Sequence, residues 1–128
     1  MPVHFEIHVT DLEKAKAFYA TVLGFAYERM PGGMEYYLIS SGSVGFDKGL
    51  TGGMFQRNAP EPAPGSGPRG AVLTFPVENV DETYALALAS GAADAMAPTT
   101  FDGVGRCAYV EDGQGNIFGM ITPPAGRA

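Results

Sequence analysis

Apolar and polar residues alternate strictly at the start of the chain. Phe5, Ile7 and Val9 fall on one side, and His4, Glu6 and His8 fall on the other. Successive strand side chains point to opposite faces, so Val3–Val9 reads as a strand with an apolar face and a face carrying two imidazoles and a carboxylate. The period then changes. Leu12, Ala15, Phe18, Tyr19, Val22 and Leu23 recur at helical spacing behind Thr10-Asp11-Leu12-Glu13, which has the form of a capping box with Asp11 as a rival N-cap. Gly24 ends this helix. Strands are expected at Phe25–Met30, Glu35–Ser40 and Leu50–Arg57, separated by Pro31-Gly32-Gly33 and a turn-rich stretch at Ser41–Gly49.

Asn58–Gly70 is dominated by proline and glycine and reads as an exposed linker. Beyond it the pattern restarts. Ala71–Val77 is strand-like, and Asn79 caps a helix that carries Glu82 three residues on and stops at Gly91. Strands follow at Ala92–Ala97, Gly105–Glu111 and Ile117–Thr122, the last two joined by the turn Asp112–Asn116. Superposing the halves gives β-α-β-β-β twice. Val9 matches Val77, Asp11 matches Asn79, and Gly53-Met54 matches Gly119-Met120, at offsets of 68 and 66 residues. An internal duplication with modules 1–57 and 71–124, joined by the linker 58–70, is therefore expected within one domain spanning 1–128. Two modules rather than a solenoid follow from so long a period.

Composition narrows the function classes. The 128-residue chain carries a net charge of −6, which argues against a nucleic-acid surface. No apolar run would span a bilayer, and no signal-peptide pattern is present, so a cytoplasmic protein without membrane contact is expected. A single cysteine, Cys107, excludes an internal disulfide and a cysteine-based zinc site. Both histidines, His4 and His8, lie on the polar face of the first strand.

Three segments carry a resemblance: "HFEIHVTDLEKAKAFYATVLGF", "FPVENVDETYALALASGA" and "YVEDGQGNIFGMITP". With them the sequence resembles the vicinal oxygen chelate superfamily, which includes glyoxalase I, extradiol dioxygenases and the fosfomycin and bleomycin resistance proteins. The last segment is similar to the family's Asp-Pro-Asp-Gly-Asn turn, with Gly113 where proline is usual. The resemblance implies an α+β fold in which two βαβββ modules form a curled mixed sheet around a central cavity. It also implies a homodimer. In metal-dependent relatives each module gives ligands from its first and last strands. Those positions correspond here to His4, Val72, Gly53 and Gly119. Only one of the four has a metal-binding side chain, whereas catalytic zinc takes about three protein ligands. No metal and no cofactor are expected, and glycine at 53 and 119 is expected to leave room for a ligand.

The candidate site is therefore His4, Glu6 and His8 as catalytic residues, with Gly53, Thr74, Cys107, Tyr109 and Gly119 as ligand-binding residues. Thr74, Cys107 and Tyr109 come from strand alternation in the second module. One reading is a glyoxalase-like, metal-independent, lyase-like enzyme in which His8 or His4 moves a proton and Glu6 tunes it. Its small organic substrate is not encoded in any motif. The alternative is a bleomycin-resistance-like protein that sequesters a ligand without chemistry, using aromatic residues among Tyr36, Tyr37, Phe46, Phe55 and Phe101. A metal-dependent glyoxalase or dioxygenase is the third reading, and the missing ligands count against it. Gly65-Ser66-Gly67 lacks the strand-to-helix setting of a phosphate cradle.

Overall fold

Each half of the duplicated pattern builds the same four-stranded sheet. The computed structural model describes residues 3–124, and the chain divides into the units Met1–Glu61 and Pro62–Ala128. In the first, β1 (Val3–Val9), α1 (Leu12–Leu23), β2 (Ala26–Arg29), β3 (Tyr36–Ser40) and β4 (Leu50–Gln56) give the strand order β1-β4-β3-β2. In the second, β5 (Leu73–Pro76), α2 (Val80–Ala89), β6 (Ala93–Phe101), β7 (Gly105–Glu111) and β8 (Ile117–Thr122) give β5-β8-β7-β6. The first strand of each unit runs parallel to the last, and the remaining pairs are antiparallel. This is the expected α+β architecture of two βαβββ modules.

The apolar periodicity marks the cores. Leu12, Ala15, Phe18, Tyr19 and Val22 of α1 are buried in the unit that also buries Ile7, Val9, Tyr37, Ile39 and Met54. In the second unit Phe75, Val80, Ala87, Ala108, Val110, Phe118 and Met120 are buried. Met54 and Met120, the matched residues of the repeat, are both fully buried. The helix starts also correspond: Asp11 and Asn79 each accept a hydrogen bond at 3.1 Å from the backbone N–H three residues on. Asp11, not Thr10, caps α1, because its carboxylate is the group that reaches the Lys14 N–H.

Several boundaries differ from the sequence pattern. β5 begins at Leu73 rather than Ala71, and β6 runs to Phe101 rather than Ala97. Pro98 falls within the added length. Here it lies on an edge strand where the register slips between Met96 and Thr99, and proline is tolerated there because no inner ladder needs its missing N–H. A short 3-10 turn at Phe46–Lys48 occupies part of the turn-rich stretch. Asp112 explains the final turn: it is buried, and its carboxylate accepts from the Gln114 and Asn116 backbone N–H groups at 2.7 and 3.0 Å. Gly113 has φ +76°, a value that proline's ring forbids, so the departure from the family turn is conformational. Linker residues 58–70 contain no strand or helix, and Gly65 N–H is tied to Glu111 Oε1 at 3.0 Å.

Removing either cap should expose an orphan helix N–H. Asp11→Ala and Asn79→Ala are each expected to lower unfolding stability by about 1 kcal/mol in urea denaturation. An unchanged midpoint in either variant would show that the cap contributes nothing there.

Candidate functional site

The polar face of the first sheet is assembled by register. His4 lies opposite Thr51, Glu6 opposite Gly53 and His8 opposite Phe55, while Tyr36 pairs with Phe55 and Leu38 with Gly53. By alternation these side chains share one face. They form a continuous hydrogen-bonded chain. His4 Nδ1 lies 2.7 Å from Thr51 Oγ1, and His4 Nε2 lies 2.7 Å from the Tyr36 hydroxyl. That hydroxyl donates to Glu6 Oε2 at 3.0 Å, and Glu6 Oε1 lies 3.4 Å from His8 Nε2. His8 packs on Phe55, ring centroids 4.2 Å apart. Arg57 Nη2 donates to the His8 carbonyl at 2.8 Å, which ties β1 to the end of β4.

Glycine at 53 makes the chain sterically feasible. A Cβ added there would fall 1.9 Å from the Tyr36 hydroxyl oxygen. The phenol therefore lies over bare backbone. The expectation of vacant space at Gly53 is corrected accordingly: a tyrosine from the neighbouring antiparallel strand takes the volume. At Gly119 the same thing happens. An added Cβ would meet Thr74 Oγ1 and Tyr109 Cε1, each at 2.6 Å, since Thr74, Gly119 and Tyr109 are in register across β5, β8 and β7.

His4, Glu6 and His8 thus meet in the first unit, joined by Thr51, which the sequence reading did not name, and by Tyr36, which it named only among the aromatic residues of the sequestering alternative. Thr74, Tyr109 and Gly119 meet in the second. Cys107 is on the same strand as Tyr109 but only 5% exposed, so its thiol is closed to solvent. Tyr109 also borders a cleft of about 500 Å³, shared with Val72, Ile117 and the linker residues Gly65, Gly67 and Pro68. In the first unit Thr51, the end of the hydrogen-bonded chain, borders a cleft of about 520 Å³ with Leu38 and Phe46. Of the aromatic candidates, Tyr36 and Phe55 lie beside the polar chain, whereas Tyr37 is buried on the helix side and holds the Lys16 ammonium 3.9 Å from its ring. Arg106 is paired with Asp81 at 2.7 and 2.9 Å.

The donor set does not fit a divalent metal. Among the described residues no three His, Cys, Asp or Glu side chains are grouped closely enough to hold one. Both ring nitrogens of His4 are committed to Thr51 and Tyr36. Gly53 offers no side chain, and the Tyr36 phenol lies over it.

Burial, followed by the hydrogen bond and charge of Glu6, pushes the Tyr36 phenol up to about 12 from its ordinary 10.0. Burial also holds the Tyr27 phenol well above its ordinary value. Tyr36 is therefore a neutral hydrogen-bonding group at physiological pH and a poor proton carrier.

Comparison with known proteins agrees with this architecture. A family profile described as "Bleomycin resistance protein-like N-terminal" matches residues 2–42. "Putative glyoxylase CFP32" of Mycobacterium bovis is 32% identical over 111 residues, covering 85% of this chain and 39% of that protein. The chain thus spans about two fifths of the length of that curated relative. Among solved structures, TnmS3, an antibiotic binding protein from Streptomyces sp. CB03234, superposes with a TM-score of 0.68 at 27% identity, covering 96% of this chain and 95% of that one. The fosfomycin resistance protein FosX from Listeria monocytogenes superposes at 0.73 with 16% identity, covering 99% and 98%, and shares the fold. These likenesses support the vicinal oxygen chelate superfamily, whose fold the chain shares. No helix among the described residues is long and apolar enough to cross a membrane.

Raising the pKa of a phenol means that its neutral form is favoured by folding. The contribution is complete below about pH 10, declines above it, and is gone once pH has risen through about 12. Gly53→Ala should drive the phenol off Glu6 and bring its titration back toward 10.0, read by phenolate ultraviolet absorbance. Tyr36→Phe should remove that high-pH step. A Gly53→Ala protein whose Tyr36 still titrates near 12 would refute the steric account.

Proposed function

We propose that this chain is a metal-independent small-molecule-binding protein that holds an organic ligand against the polar face of the first sheet. The observation that carries this reading is the chain Thr51–His4–Tyr36–Glu6, in which each polar group is fixed by its neighbour at hydrogen-bond distance. Fixed polar groups beside the aromatic Phe55 suit recognition, because binding then costs little ordering. A metal-dependent glyoxalase or dioxygenase reaction finds no donor set here. The similarity to TnmS3, described as an antibiotic binding protein, supports ligand sequestration over turnover.

One observation favours a second reading, metal-independent catalysis. His8 and Glu6 are both substantially exposed, with side-chain exposures of 43% and 41%, and lie 3.4 Å apart. An accessible imidazole beside a carboxylate is competent for general acid–base work on a lyase-type substrate. His4 serves this reading less well, since both of its nitrogens are engaged. In the second unit Thr74, Tyr109, Gly119 and the cleft at Val72 and Ile117 supply a further binding surface. Family resemblance further suggests a cytoplasmic homodimer, which light scattering on the purified chain would check.

A thermal-shift panel of aromatic and polycyclic antibiotics should contain compounds that raise Tm. Tyr36→Phe should weaken the best of them by up to about tenfold. Wild-type affinity in Tyr36→Phe would remove this face from the binding site. If a compound is turned over, the pH–rate profile should lose its imidazole limb in His8→Ala under the catalytic reading and be indifferent to it under sequestration.

A further inference from the structure

We infer that Tyr36 gives the hydrogen-bonded chain of the first sheet a single direction, so that the Glu6 carboxylate is the group offered to a ligand and the ligand it takes is an organic cation with a hydrogen-bond-donating nitrogen. This rests on the small-molecule reading and adds the ligand's polarity to it. The number of available hydrogens decides the direction. Tyr36 has one hydroxyl hydrogen, donated to Glu6 Oε2 at 3.0 Å, because an ionised carboxylate only accepts. The same oxygen must then accept from His4 Nε2, 2.7 Å away, which places the imidazole hydrogen on Nε2. A neutral imidazole so protonated has an acceptor at Nδ1, and the Thr51 hydroxyl, 2.7 Å away, is its donor. Every donor in the chain therefore points toward Glu6.

The terminus of that chain has capacity left. A carboxylate has about four acceptor positions, and Glu6 fills one with Tyr36 and another with the long, 3.4 Å contact to His8. Among the described residues no lysine or arginine pairs with it, and its side chain is 41% exposed. Beside it the Tyr36 and Phe55 rings lie 5.7 Å apart at 30°, and His8 rests on Phe55. An amidinium or ammonium on a flat apolar body meets both features: its N–H groups reach the carboxylate, and its body and charge face the rings. An anion meets an acceptor-only carboxylate and gains nothing. His4 consequently acts as a positioning residue that orients Tyr36.

Two measurements on the full chain test this. The first is the tautomer of His4, read from long-range nitrogen–proton NMR correlations at pH 9, where histidine is ordinarily neutral. Nε2–H is expected, shifting in Tyr36→Phe. Nδ1–H would reverse the chain and overturn the proposal. The second is titration with benzamidine, with benzoate as its anionic counterpart. Benzamidine should move the signals of Glu6, His8 and Phe55, and Glu6→Gln, which keeps the shape and removes the charge, should weaken it at least about tenfold. Benzoate should leave these signals in place. Binding of benzoate instead, or silence toward both probes, overturns the assigned polarity. The antibiotic panel reports separately on the small-molecule reading, which survives that failure wherever another compound binds.

Discussion

The first unit's polar face depends on one missing side chain. Because Gly53 has no Cβ, the Tyr36 phenol can lie over β4 and touch Glu6 and His4 at once. Any larger residue at 53 would occupy the position of the phenol oxygen. The hydrogen-bond geometry, the raised Tyr36 pKa and the loss of a metal-ligating position all descend from that vacancy. Antiparallel pairing puts Tyr36 one strand over and diagonal to Gly53, which is within reach of a long aromatic side chain.

The duplicated unit repeats the steric solution with different chemistry. Gly119 is likewise covered by a tyrosine, Tyr109, but the residue equivalent to Glu6 is Thr74. A hydroxyl there gives no charge to organise, and no second histidine pair stands on β5. The two units thus share the backbone device, while the ionisable chain is confined to the first. In both units the glycine of the last strand lies under a tyrosine ring, so the absence of a side chain there is a property of the module's packing.

Much of this was legible in the sequence because it rests on short-range rules. The face shared by His4, Glu6 and His8 follows from period-two alternation, the helices from their caps, and the repeat from Gly53-Met54 and Gly119-Met120. Thr51 was not legible as a site residue, and Tyr36 only as one among several aromatic candidates, since register between strands some 30 to 47 positions apart decides their contacts. The only available signal was glycine at 53 beside an aromatic-rich strand, read as vacant space rather than as space for a neighbour. The bulged length of β6 escaped for a similar reason: an edge position forgives Pro98, and edges are a property of topology.

The coupling between Gly53 and Tyr36 also constrains which side chains this face can accept. A carboxylate side chain placed at 53 would collide with the phenol. If Tyr36 were removed first, His4 Nε2 and Glu6 would lose their shared partner. The two residues therefore act as one structural unit, and the polar face is held in its present form by packing as much as by hydrogen bonding.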